Sequence, residues 1–243
     1  MDGSELLLPL RSELDEVHAA VSEAVKRSGG IDYSRLLREN VVEYNLRPAL
    51  VYIAAHSCGL ESVTVVPVAK AVQFIYFATV VHNKAVELED AAGGDLKSFI
   101  LLGDYLFSAS FRVLADAGMQ QLLVPLSKVV CSECEAAVEP LKDGELDPGI
   151  IKKESALLIG ECCRLPGMLA GVDFIEDIYA YGISLGMVYG LLKRKASLLQ
   201  AASYIEEARK AFLRLPLNPA TQRLKEVLDL FSRNIGLEAA ATK

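Results

Sequence analysis

The chain has 243 residues, 52% of them hydrophobic, with a formal net charge of −7 and an isoelectric point near 5.1. So apolar a chain buries a large core and is not disordered. The acidic balance disfavours nucleic acid and anionic membrane surfaces as partners, because both are bound through basic residues.

The acidic, amphipathic opening MDGSELLLPLRSELDEV lacks the basic-then-apolar pattern of a signal peptide, so a cytoplasmic location is expected. The longest uncharged runs, at 48–60, 71–83 and 178–192, fall short of the ~18–20 apolar residues of a spanning helix, and no transmembrane segment is expected. Helical periodicity runs the length of the chain, with Gly and Pro as punctuation. A first helix is predicted over residues 5–28, ending at Gly29–Gly30. Asp32 or Ser34 then caps a short helix leading to Glu43, and Pro48 opens the next, which Gly59 ends. Residues 61–87 begin β-branched, but Pro67 argues against a central strand, so a long buried helix is predicted.

Helices at 95–118 and 119–140 follow, then a turn-rich break at 143–149 centred on Asp147–Pro148–Gly149. The remaining helices are predicted at 150–165 (up to Pro166–Gly167), 176–195, 196–215 and 220–235, with a turn at Pro216–Asn218–Pro219 and a frayed tail over 237–243. The fold class is therefore all-α, a single-domain helical bundle over residues 1–243.

Five cysteines, an odd number, predict no disulfide framework. Cys131-x-x-Cys134 admits a zinc or redox reading. The spacing fits two small apolar residues on one helix face better, since the vicinal Cys162–Cys163 pair is a poor source of further ligands. His18, His56 and His82 are too scattered for a metal triad, and His82 reads as a packed or hydrogen-bonded histidine. Glu87, Glu89 and Asp90 read as a solvated helix end, since no second carboxylate cluster exists to face them, with a makeshift metal site at Glu89–Asp90 as the alternative. The basic run Lys193–Lys195 reads as a helix C-terminus favoured by the macrodipole, with an anion site as the alternative.

Several blocks occur in a fixed order: EYNLRPAL at 43–50, AVQFIY at 71–76, VHNKAVE at 81–87, GDYLF at 103–107, KESALL at 153–158, and YG with LGMVYG over 181–190. Together they resemble the trans-isoprenyl diphosphate synthases, the polyprenyl synthetase family. GDYLF and the order of the blocks are the most specific parts of the match. The resemblance covers nearly the whole chain and implies the all-α isoprenoid-synthase bundle.

In that family two aspartate-rich motifs hold the Mg²⁺ that bridges to substrate diphosphate. Here the first frame holds Asn83, Lys84 and Glu87, and the second holds Lys193, Arg194 and Ser197. An ammonium at a ligand position repels the ion it should bind. Of the family's GKxxRP segment Arg47 remains, while Tyr44 stands at the lysine. Tyr76 stands where a histidine is usual, ELEDAAGGD lacks the arginine pair, and Glu154 reverses the lysine of KTAxL.

The resemblance thus implies a catalytically degenerate homologue. Its expected role is the non-catalytic or regulatory subunit of a heteromeric polyprenyl diphosphate synthase. It would pair with a motif-intact subunit through the segments 103–114 and 122–137, or otherwise with itself, and Mg²⁺ would be needed only in the catalytic partner. The alternative is an isoprenoid or apolar-ligand binder in which Arg47, Lys84, Lys193 and Arg194 meet an anionic head, with Phe74, Ile75, Ala78 and Thr79 as tunnel wall. A residual prenyltransferase is the third reading.

Overall fold

The computed structural model of the chain describes residues 6–27, 41–89, 96–138 and 147–241. Helix α1 (Arg11–Arg27) follows a 3₁₀ turn at Leu8–Leu10 and turns Leu14, Val17, Val21, Ala24 and Val25 inward, at helical spacing. Helix α2 (Val41–Ser57) is the central element, with Leu50 to Ala55 almost wholly buried. It packs against α3 (Ser62–Glu89), α7 (Leu157–Ala170) and α10 (Pro219–Ala241).

Helix α3 lies along α4 (Leu96–Asp116), and a 3₁₀ turn at Gln120–Leu122 leads into α5 (Leu123–Val138). The short α6 (Pro148–Ile151) passes through a π-helical turn, Lys152–Ala156, into α7. Helix α8 (Ile175–Lys193) packs between α7 and α9 (Leu198–Phe212). Among the described residues there is no strand. A large core runs from α2 through α7, α8 and α10. A smaller one, including Val21, Phe77, Leu102 and Leu106, fills the space between α1, α3 and α4.

Several boundaries differ from the sequence expectation, each for a physical reason. Helix α2 begins at Val41, so Pro48 lies inside it and not at its start. Proline has no N–H to give the carbonyl four residues back. That carbonyl, on Tyr44, accepts instead from Gln73 Nε2 of α3 at 2.9 Å. Helix α3, Ser62–Glu89, agrees with the long helix expected over 61–87 and carries Pro67 in its first turns.

Asp147–Pro148–Gly149 is a helix start rather than a turn: the Asp147 carboxylate caps Gly149 N at 2.7 Å and proline takes the first helical position. Helix α7 runs past Pro166 and closes on Gly171, which adopts φ +66° as a left-handed cap. The segment 28–40, where a cap at Asp32 or Ser34 was expected, lies outside the described residues, as do the side chains of 237–243.

Two helical stretches, Ser62–Ala85 and Leu96–Asp116, are long and apolar enough by length and composition to cross a membrane. Counting uncharged runs missed the first because Lys70 interrupts it. Lys70 pairs with Glu16 of α1 at 2.7 Å, and 56% of that stretch is buried within the bundle. The second is only 33% buried.

Close approach along α8 fixes the geometry of the site. Gly182, Gly186 and Gly190 recur every four residues and so share one face. A Cβ on Gly186 would stand 2.5 Å from the Ala156 Cα, and one on Gly182 would stand 2.9 Å from the Gly160 Cα. Backbone therefore touches backbone along this seam, and α8 is pressed against α7 and the π turn.

Candidate functional site

At the C-terminal end of that seam a cavity of about 470 Å³ opens between α2, α3, α5, the π turn and α8. Arg47 comes from α2, Tyr76, Thr79, Val80 and Asn83 from one face of α3, and Glu133 and Ala137 from α5. The π turn and α7 supply Glu154, Ser155 and Leu158, and the end of α8 supplies Tyr189, Gly190 and Lys193, with Arg194 just beyond. The extra residue in a π turn rotates the side chains that follow it, and such turns recur at functional sites. Here it carries Glu154 and Ser155 to the cavity wall.

Two cations of the cavity, Lys193 and Arg194, are matched by carboxylates of the chain itself. Glu43 Oε1 accepts from Lys193 Nζ at 3.0 Å, from the Tyr76 hydroxyl at 3.3 Å and from the Tyr189 hydroxyl. Burial works to raise the Glu43 pKa, but the Tyr189 hydroxyl and the Lys193 ammonium outweigh it and hold the carboxyl below its ordinary value. Arg194 forms an ion pair with Glu154. Arg47 is almost fully buried, its guanidinium 3.8 Å from the Tyr76 ring centroid and 5.1 Å from that of Tyr189, a cation–π sandwich. Burial pushes both phenols up to about 12, so they stand neutral as donors. Glu133 is the exception among the acids. Burial pushes its carboxyl up to about 7, against the Thr79 hydroxyl that donates to it at 2.8 Å.

The structure brings together Arg47, Tyr76, Thr79, Asn83, Glu154, Lys193 and Arg194 of the residues singled out from sequence. Lys84 is half-buried on the turn of α3 that carries Asn83. The Glu87 side chain, like those of Glu89 and Asp90, lies outside the described residues. Ser197 is no part of the cavity: its hydroxyl caps α9 by accepting from Gln200 N at 3.4 Å. Of the expected tunnel wall, Phe74 and Ala78 are buried in the smaller core and Ile75 in the larger one, and only Thr79 lines the cavity.

Glu133 went unread in the sequence although a signal was present. It falls on the stripe Leu126–Val129–Glu133–Ala136, whose other members are buried, and a charge on a buried stripe marks a special environment. The neighbouring Cys131 and Cys134 are exposed, not packed as apolar residues. His82 is half-buried, its Nε2 lies 3.2 Å from Ile100 O, and its ring sits over Gly103 so closely that any Cβ there would collide with it. The glycine of the GDYLF block therefore makes room for this histidine.

Among the described residues, the donors at the cavity do not fit a divalent ion. Mg²⁺ asks for carboxylate or neutral oxygen ligands in octahedral array, whereas Lys84, Lys193 and Arg194 bring positive charge. Of the lining carboxylates, Glu154 is paired with Arg194 and Glu133 holds its proton up to about neutrality. Among the described residues no three of His, Cys, Asp and Glu gather into a metal-binding group.

Comparison with known proteins places the fold. No family model matches the chain. Over 206 residues, 75% of its length, it is 26% identical to the heptaprenyl diphosphate synthase component 2 of Geobacillus stearothermophilus, of which the match spans 64%. The chain spans about half to two thirds of the length of the curated relatives it matches. The crystal structure of a decaprenyl diphosphate synthase from Rhodobacter capsulatus superposes with a TM-score of 0.79 at 19% identity, covering 96% of this chain and 99% of that one. The geranyl diphosphate synthase small subunit from Antirrhinum majus superposes with a TM-score of 0.65 at 18% identity, covering 90% and 98%. By sequence and by fold, the relatives of this chain are the trans-isoprenyl diphosphate synthases, the polyprenyl synthetase family.

Proposed function

We propose that the chain is a catalytically degenerate member of this family, one domain over residues 1–243. It acts in the cytoplasm as the non-catalytic subunit of a heteromeric polyprenyl diphosphate synthase. One observation carries the reading. At the cavity mouth the second frame contributes Lys193 and Arg194, each already matched by a carboxylate, Glu43 and Glu154. Departure of diphosphate from an allylic carbon needs concentrated positive charge on the leaving group. Internally balanced pairs supply little of it.

The surface supports a partner. Ile100 and Leu101 of α4 and Val124 and Val138 of α5 stand 43%, 56%, 60% and 82% exposed. Exposed apolar helix faces of this kind mark association surfaces. The names of two similar proteins, "component 2" and "small subunit", agree with a heteromeric arrangement.

The test is product analysis with labelled isopentenyl diphosphate and an allylic primer. The source organism's motif-intact homologue is assayed with and without this chain, and this chain alone is the control. A change of rate or chain length only in the mixture is expected. Product from this chain alone, or a homologue indifferent to its presence, overturns the reading. Lys84→Asp alone is expected to restore no turnover, since Tyr44, Glu154, Lys193 and Arg194 remain.

A further inference from the structure

We propose that the cavity binds an apolar chain ending in an uncharged hydroxyl and rejects its phosphorylated counterpart. This rests on the degeneracy of the two frames but on no partner.

Three cations line the cavity, and carboxylates of the chain hold the two at its mouth, while the third, Arg47, is buried against two tyrosine rings. Lys193 lies 3.0 Å from Glu43, Arg194 is paired with Glu154, and Arg47 lies between the rings of Tyr76 and Tyr189. Glu43 already occupies the place a ligand oxygen would take. Its Oε1 collects an ammonium and two phenol hydroxyls, a donor set suited to one oxygen of a phosphate. A diphosphate would have to displace Glu43 and Glu154 and leave two carboxylates facing its own charge. Unpairing a partly buried carboxylate and bringing like charges together are both costly.

Glu133 lines the wall with Glu154 and accepts from the Thr79 hydroxyl at 2.8 Å. A hydroxyl meets none of these penalties. The Glu133 carboxyl, holding its proton to about neutrality, offers such a group both a donor and an acceptor. Val80, Ala137 and Leu158, with the rings of Tyr76 and Tyr189, supply apolar wall for the chain. The pairs at 43/193 and 154/194 thus act as internal counter-ions, and they set the ligand class by charge.

Calorimetric titration of the full chain tests this, using geraniol and farnesol as neutral probes and inorganic diphosphate and farnesyl diphosphate as anionic ones. Saturable binding of the alcohols is expected, with no heat from inorganic diphosphate. The double variant Glu43→Gln/Glu154→Gln is expected to gain diphosphate affinity by about ten-fold or more, equivalent to about 1.4 kcal/mol. Diphosphate binding to the unaltered chain as tightly as to the variant, or the absence of saturable alcohol binding, overturns the proposal.

Should the variant fail to fold, competition on the unaltered chain decides. Farnesyl diphosphate that displaces farnesol sinks the proposal, and failure to displace it supports it. The mixed product assay is independent of these titrations. A subunit effect without alcohol binding removes this inference and leaves the subunit reading standing, and the converse outcome does the reverse.

Discussion

The glycine face of α8 and the side chains at its C-terminal end are built on opposite principles. Along Gly182–Gly186–Gly190 contact is made by backbone and small atoms pressed against α7 and the π turn. From Tyr189 to Arg194, contact is made by long side chains that reach across space to Glu43 and Glu154. The first has no slack, because a close-packed seam cannot absorb even a methylene. The second can exchange one charged residue for another while the helices stay in place. The bundle therefore depends on the seam far more than on the side chains at its end.

The largest effect is expected on the seam. Gly186→Ala places a Cβ 2.5 Å from the Ala156 Cα. It should destabilise by about 3 kcal/mol in denaturant melts, despite the ~1 kcal/mol that alanine gains in helix propensity. A variant as stable as the parent would mean that α7 and α8 separate freely, and the contrast would be lost.

Next comes Gln73→Leu, which leaves the Tyr44 carbonyl without the donor that replaces the missing proline N–H. The expected loss is about 1–2 kcal/mol, the cost of an unpaired carbonyl, tempered because Gln73 Oε1 itself has no partner among the described residues. An unchanged melting temperature would show that Pro48 is accommodated some other way.

The cavity responds to pH where the seam does not. Glu133 is raised from 4.5 to about 7 by burial, so the folded state holds a proton that the unfolded chain has released. Its contribution is fully present below about 4.5 and is lost as pH rises through about 7. Thr79 and Arg47 oppose this shift and Glu154 adds to it. Between pH 6 and 8 the parent should lose about 1 kcal/mol that Glu133→Gln does not lose, so the stability advantage of the variant grows with pH. Parallel curves for the two proteins would place the buried charge elsewhere.

The smallest effect is expected at the mouth. Lys193 is 55% exposed, so Lys193→Gln should cost under about 1 kcal/mol in stability, as exposed ion pairs do. A loss as large as that on the seam would make the mouth a structural clamp and erase the distinction.

What the sequence determined by itself follows from local rules and from block order. Period-3.6 stripes such as Leu14–Val17–Val21 and the turn at Asn218 and Pro219 identified helices and ends, because capping and amphipathicity act within a few residues. The blocks GDYLF and LGMVYG indicated the fold, and their glycines proved to be packing sites beside His82 and Ala156. Pro48 was read as a boundary because the sequence shows the missing N–H but not the neighbouring helix, and at Tyr44 it is Gln73 of α3 that supplies the replacement donor.

Only the tertiary structure decided which partners Lys193, Arg194 and Thr79 meet. Lys193 and Glu43 are 150 residues apart, Arg194 and Glu154 are 40 apart, and Thr79 and Glu133 are 54 apart. No local pattern announces such partners. Whether a cation in a cavity is open to a ligand or already matched depends on which distant carboxylate the packed helices bring within reach.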